Sequence, residues 1–231
     1  QSTCIGTSVT FSVTASGTSP TYQWRKNGTN IAGATSSSYT IASPNAGDAA
    51  NYDVVVSVTS CSSVTSTTAT LTVNTLPNQY NVTGGGNICS TSSGVAVGVN
   101  NSQSGVNYQL YLGGVATGSP VAGTGAAISF GLQTAAGTYT VIGTNATTGC
   151  TRTQNGSATI TVYTAPTITA DPVSQSKCVG SSVTFSVTAT GTSPTYQWRK
   201  NGTNIGGATS SSYTIASVVV GDAANDDVVV S

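Results

Sequence analysis

Few side chains in this sequence could carry out chemistry. The chain has no His and no Glu, and its six acidic residues are all Asp. Two pairs of carboxylates lie close in sequence, Asp48 with Asp53 and Asp226 with Asp227. General acid–base catalysis uses a His or two paired carboxylates, and a Ser or Cys nucleophile here would have no His as its base. We therefore expect no enzymatic activity, and we expect Asp48 to cap a turn.

The cysteines do not form a metal-binding pattern. Five of them are spread along the chain, at Cys4, Cys61, Cys89, Cys150 and Cys178. None forms the Cys-x-x-Cys pair of a zinc site, and mixed Cys/His sites need the His that is missing. Calcium needs about six to eight oxygen ligands, and the aspartates are too sparse for that. The sequence predicts neither a metal nor another cofactor.

Charge is scarce, and this limits the possible partners. Charged residues make up 5% of the chain and the net charge is zero, whereas an ordinary soluble domain has about 25%. Nucleic acid and anionic membrane surfaces both attract proteins with a basic face, so neither is expected as a partner. No stretch has the roughly 20 apolar residues of a membrane span, and we expect no membrane insertion.

The remaining composition favours strands and turns. The chain is rich in Thr, Ser, Gly and Val, which are β-branched residues and turn formers. Val9, Phe11 and Val13 alternate with polar residues, which indicates a half-buried strand. Asn27-Gly28 is a strong signal for a hairpin turn. About seven such short strands in one unit predict an all-β protein made of sandwiches.

Internal repetition defines the domain organisation. The segment Cys4–Ser57 recurs as Cys178–Ser231, and the 54 aligned positions differ at eight. A related but different unit lies between the copies. We predict three modules: module A at 1–75, module B at 76–165 and a second module A at 166–231. We expect the first copy to lack its first strand and the second to stop before its last, as in a stretch of a longer repeat array.

Two motifs of module A resemble an immunoglobulin-like domain. The run Tyr22–Gly28, which reads YQWRKNG, is similar to the family's third strand with its core Trp, and Asp48–Tyr52 is similar to the tyrosine corner before the sixth strand. The resemblance implies tandem immunoglobulin-like sandwiches with Trp24 and Trp198 in their cores. The second copy has Asp226 where the first has Tyr52, and a buried carboxylate would cost several kcal/mol.

The resemblance also places the core pair and the disulfides. The family's two core cysteines fall at Val13 and Val54, which we expect to pack against Trp24. The cysteines of this chain instead lie just before the second strand or just after the sixth strand of a module. This placement implies the bonds Cys4–Cys61 and Cys89–Cys150. Cys178 is expected to be unpaired, because the counterpart of Cys61 would fall beyond position 231.

The cysteine placement, with the Tyr-Gln-Trp and Tyr-x-Val-x-Val patterns, is similar to modules of giant cell-surface adhesins of Bacteroidetes-type bacteria. Gly123–Val141 resembles their companion modules. The resemblance implies an extracellular, structural or adhesive, disulfide-stapled rod. Its expected partners are neighbouring repeats, through self-association into fibres, and surface glycans or other cells.

An alternative function is a carbohydrate-binding or spacer region of a secreted polysaccharide-degrading enzyme. Carbohydrate recognition would need exposed aromatic rings. Trp24 and Trp198 are expected in the core instead, so Tyr80, Tyr111 and Tyr163 are the freer rings.

Overall fold

The computed structural model describes residues 1–231. The protein is all-β, with 24 strands and two single-turn 3-10 helices at Ala46–Asp48 and Val220–Asp222. The predicted fold class is confirmed. The chain divides into two compact units, one formed by 1–83, 97–130 and 139–158 and the other by 84–96, 131–138 and 159–231. Strands pair only within three consecutive stretches of the chain.

The first stretch forms a sandwich of two sheets. Its strands are β1 (Ser2–Cys4), β2 (Val9–Ser12), β3 (Thr21–Lys26), β4 (Thr29–Asn30), β5 (Ser38–Ile41), β6 (Ala50–Ser57), β7 (Val64–Thr65) and β8 (Ala69–Asn74). One sheet has the order β1-β8-β6-β3-β4, with β7 also paired to β6, and β2 pairs with β5 in the other. Asn27 and Gly28 have φ of 48° and 78°, as the two-residue turn between β3 and β4 requires.

The core of this sandwich lies between the two sheets. Val9 and Phe11 of β2 are buried, whereas Thr10 and Ser12 between them are exposed, because successive side chains of a strand point to opposite faces. They pack with buried residues of the facing sheet and of the loop after β4: Trp24, Ala34, Tyr52, Val54 and Leu71.

The second stretch repeats the arrangement with longer strands. They are β9 (Val82–Gly84), β10 (Gly86–Cys89), β11 (Val95–Val99), β12 (Val106–Leu112), β13 (Val115–Ala122), β14 (Ile128–Gln133), β15 (Gly137–Asn145), β16 (Thr151–Thr153) and β17 (Ala158–Tyr163). One sheet has the order β10-β17-β15-β12-β13, with β16 paired to β15, and β14-β11-β9 form the other. Each strand of this first sheet thus has a counterpart at the same place in the β1-β8-β6-β3-β4 sheet of the first sandwich. A Cβ at Gly98 of β11 would lie 2.4 Å from the carbonyl oxygen of Ile128, so only Gly fits this close strand approach.

The third stretch repeats part of the pairing of the first copy and adds one strand pair of its own. Its strands are β18 (Thr167–Ala170), β19 (Val183–Ser186), β20 (Thr188–Thr190), β21 (Tyr196–Lys200), β22 (Thr203–Asn204), β23 (Ser212–Ile215) and β24 (Asp226–Val230). β19 pairs with β23, β18 with β20, and β22-β21-β24 form a sheet. Trp198 lies opposite Val228, as Trp24 lies opposite Val54. Near-identical sequence therefore gives the same strand register twice.

Candidate functional site

The two tryptophans are structural. Trp24 is 3% exposed and Trp198 is fully buried. Each indole N–H donates to a backbone carbonyl 2.9 Å away, that of Ser36 for Trp24 and that of Ser210 for Trp198. Val54 is buried beside Trp24, and Val13 is partly buried against the same cluster. Neither indole face is available to stack on a sugar ring.

Tyr52 forms the tyrosine corner of the first sandwich. Its side chain is 1% exposed, and its hydroxyl donates to the Asp48 carbonyl at 2.9 Å. Its ring stacks on Phe11 with centroids 4.7 Å apart. Asp48 caps the preceding turn, as expected, by accepting from the Asn45 backbone N–H at 3.0 Å. That hydrogen bond, with the nearby Lys26, lowers the pKa of Asp48.

Four aspartates of the two copies are engaged in ion pairs. Four of the six cationic residues bind an aspartate of the same copy: Arg25 to Asp53, Lys26 to Asp48, Arg199 to Asp227 and Lys200 to Asp222. No three His, Cys, Asp or Glu side chains lie together in a group that could hold a metal ion. Of the carboxylates noted in the sequence, Asp48, Asp53 and Asp227 therefore hold turns and strands in place.

Asp226 of the second copy occupies the position that Tyr52 has in the first. It lies opposite Lys200 on β24, where Tyr52 lies opposite Lys26 in the first copy. The Lys200 ammonium binds Asp222 and the Gly221 carbonyl instead. The Oδ1 atom of Asp226 is therefore buried without a hydrogen-bond partner, and burial raises the pKa of this carboxyl.

Replacing Asp226 by Asn should stabilise the second copy at neutral pH. Because the pKa of Asp226 is raised on folding, its charged form opposes the folded state above that pKa, and the penalty disappears below its ordinary value of 3.8. We expect a gain in stability at pH 7 and no gain at pH 3. Hydrogen exchange in β24 measures this difference.

Asp227 is the matched control for that experiment. Its carboxylate pairs with Arg199, and the hydrogen bond from that guanidinium lowers its pKa. Asp227→Asn should therefore lose stability at pH 7 and approach the parent as the pH falls below 3.8. A parallel response of the two variants would contradict the assignment.

The structure corrects the expected disulfides. Cys4 is bonded to Cys150, with Cα atoms 5.7 Å apart, and Cys61, Cys89 and Cys178 are free and exposed. Neither expected bond, Cys4–Cys61 nor Cys89–Cys150, is present.

Strand direction explains the correction. Cys4 lies beside Asn74 at the end of β8, and β8 runs antiparallel to β6 with Leu71 opposite Ala50. Cys4 is therefore level with the start of β6, whereas Cys61 follows the end of that strand. Eight residues of strand span about 25 Å, and a disulfide needs Cα atoms within about 7 Å. The direction of the predicted strands could have excluded the Cys4–Cys61 bond, but it does not select Cys150 as the partner.

Cys150 lies close to the point where the chain enters the second sandwich. The residues after it return beside the entering segment, since Asn155 donates to the Tyr80 carbonyl and accepts from the Val82 N–H, both at 2.9 Å. Cys4 lies where the chain leaves the first sandwich, beside Asn74. The bond thus joins the exit of one sandwich to the entry of the next.

Solved structures of tandem domains share this architecture. Three titin domains, I67–I69 in an E-to-A variant, align with a TM-score of 0.50 and 16% identity over 99% of this chain and 93% of that structure. The eight N-terminal immunoglobulin domains of DSCAM isoform 1.30.30 align with a TM-score of 0.55 and 14% identity over 100% of this chain and 35% of that structure. The fold is a tandem of immunoglobulin-like sandwiches. Identities this low establish the fold and nothing further.

Other comparisons add little. Three N-terminal domains of the Hoc capsid protein of bacteriophage RB49 align with a TM-score of 0.42 and 17% identity, over 95% of this chain and 84% of that one. No protein-family model matches the sequence, and no curated protein matches it. The structure contains no helix with the length and apolar character needed to cross a bilayer.

Proposed function

We propose that this chain is a structural and adhesive repeat region of a long extracellular surface protein or filament of a bacterium. The modules are 1–75, 76–165 and 166–231, and they act as a disulfide-stapled rod. Neighbouring repeats are the main partners, and surface glycans or other cells are the adhesion targets.

The Cys4–Cys150 bond is the observation that carries the proposal. It ties the sheet that contains β1 to the loop after β15, so two consecutive sandwiches are held by a covalent bond as well as by the peptide chain. A pull along the chain would load this bond before it separated the two sandwiches. Such a bond has no use in catalysis, but it resists stretching.

The disulfide supports an exported location, and the low charge supports self-association. Disulfides persist in oxidising compartments outside the cytosol. A surface with little charge offers little like-charge repulsion between copies, which favours side-by-side association into fibres. The burial of Trp24 and Trp198 removes both indoles as stacking platforms for a sugar, which leaves Tyr163, 44% exposed, as the most accessible of the three freer rings.

Immunogold labelling tests the proposal. Antibodies raised against this chain should label fibres on intact cells, and the labelled polypeptide should be much larger than 22.8 kDa on a denaturing gel. Label found only in the medium, on a polypeptide that hydrolyses polysaccharide, would show that the modules belong to a secreted enzyme.

A further inference from the structure

We propose that the Cys4–Cys150 bond is a redox-controlled limit on the extension of this chain, and that it shields residues 5–149 from tension while it is intact. The inference rests on the proposed role as a load-bearing rod. It identifies the segment that load reaches and the reaction that changes this segment. It starts from the sequence separation of 146 residues between the two bonded cysteines.

The bond shortens the covalent path along the chain. Without it, tension applied at Gln1 passes through every residue before it reaches Cys150. With it, tension passes from Cys4 directly to Cys150, and the two Cα atoms are 5.7 Å apart. An extended chain spans about 3.3–3.6 Å per residue, so the closed loop withholds about 500 Å of extension. Tension along the chain does not straighten this loop until a covalent bond breaks.

The first sandwich lies inside the closed loop. Its buried core extends from Val9 to Leu71, and the partly buried residues packed against that core extend to Val73. Of its strands, only β1 lies on the loaded path, and β1 pairs with β8 at three positions. Tension therefore acts on the β1–β8 pairing and does not act across the core.

The second sandwich is shielded only in part. Its buried residues from Val97 to Val141 lie inside the loop, whereas Ala158 and Ile160 of β17 follow Cys150. β16 pairs with β15, and β17 pairs with both β10 and β15. Tension that leaves Cys150 thus pulls β16 and β17 away from strands that carry no load. We expect the second sandwich to lose these two strands while the first sandwich stays folded.

Reduction of the bond moves the whole chain onto the loaded path. Cys150 is 1% exposed, whereas Cys4 is partly exposed, so the thiolate of a dithiol reductant attacks the Cys4 sulfur and releases the Cys150 thiolate. The second thiol of the reductant then attacks its own sulfur in the mixed disulfide and releases Cys4. The dithiol becomes a cyclic disulfide, and its two protons pass to the two cysteines. In an oxidising compartment the bond persists, and the limit stays in force.

Single-molecule pulling tests the proposal on the whole chain. Handles are fused to both ends, and the free thiols of Cys61, Cys89 and Cys178 are alkylated first to prevent exchange. We expect the fully extended oxidised chain to be about 500 Å shorter than the reduced chain. Adding a dithiol to a chain held under tension should release that length in the same molecule. Equal lengths before and after reduction would overturn the proposal.

Serine variants supply the matched controls. Cys4→Ser and Cys150→Ser should reach the length of the reduced parent without any reductant, whereas Cys61→Ser and Cys89→Ser should keep the short length. If Cys61→Ser lengthened the oxidised chain, the loop would close at Cys61 and not at Cys150. The withheld length of the parent would then be less than half of the expected value, and the proposal would be wrong.

The measurement does not depend on how well a variant folds, because each length is read from a fully stretched chain. It is also independent of the proposed filament. A chain with the expected lengths that forms no fibres on cells would refute the filament and leave the limit on extension intact, so the two proposals fail separately.

Discussion

Tyr52→Asp should cost the first sandwich most of its stability. The change removes a ring that is 1% exposed and stacks on Phe11, and loss of a buried aromatic side chain costs about 3–5 kcal/mol. It also leaves the Asp48 carbonyl without the proton that the Tyr52 hydroxyl donates. The shorter carboxylate would be buried without a partner, as the Oδ1 atom of Asp226 is in the second copy. Hydrogen exchange in β3 and β6 should rise sharply at pH 7.

The second copy supplies the reciprocal variant. Asp226→Tyr restores the residue of the first copy beside Phe185, whose ring packs against Trp198 with centroids 6.3 Å apart. It also removes the unpartnered Oδ1 atom. We expect slower exchange in β21 and β24, the opposite of the effect of Tyr52→Asp. If both substitutions weakened their sandwiches, the corner would not be equivalent in the two copies.

Trp24→Ala should have the second large effect on the stability of the first sandwich. The indole lies at the centre of the first core, opposite Val54, and tilted against Phe11 at 6.1 Å. Its removal should cost about 3–5 kcal/mol and leave the Ser36 carbonyl without its donor. For a domain of this size, each kcal/mol lowers the melting temperature by about 4–8 °C. Calorimetry should show one transition shifted down by tens of degrees.

Trp24→Phe separates the two contributions. A phenyl ring retains much of the buried apolar area but cannot donate to the Ser36 carbonyl, so its cost should be clearly smaller than that of Ala. In both variants Trp198 is the remaining tryptophan, and its fluorescence reports that the second copy still unfolds as before. An unchanged calorimetric trace for Trp24→Ala would mean that the indole does not hold this core together.

Local chemistry was sufficient to predict the strands and their faces. The alternation at Val9 and Phe11, the Asn27-Gly28 turn and the Asp48 cap each depend on residues a few positions apart, and each is present in the structure. The immunoglobulin-like motif around Trp24 likewise indicates a sandwich with a buried indole. Repetition at a constant offset carried these features to the second copy without further information.

The disulfide, the ion pairs and the environment of Asp226 depend on long-range geometry. Cys4 lies level with the start of β6, whereas Cys61 follows its end. Cys4 can therefore bond only to a cysteine near the start of β6, and the loop of the next sandwich that contains Cys150 supplies it. Sequence spacing does not encode this, because two cysteines that flank the strands of one sandwich can lie a full strand length apart. The ion pairs and the unpartnered Asp226 oxygen also required the register of β21 on β24. The repeating units and their cores follow from local sequence patterns, whereas the bond between consecutive units depends on the folded chain, since a disulfide forms only where folding brings two sulfur atoms together.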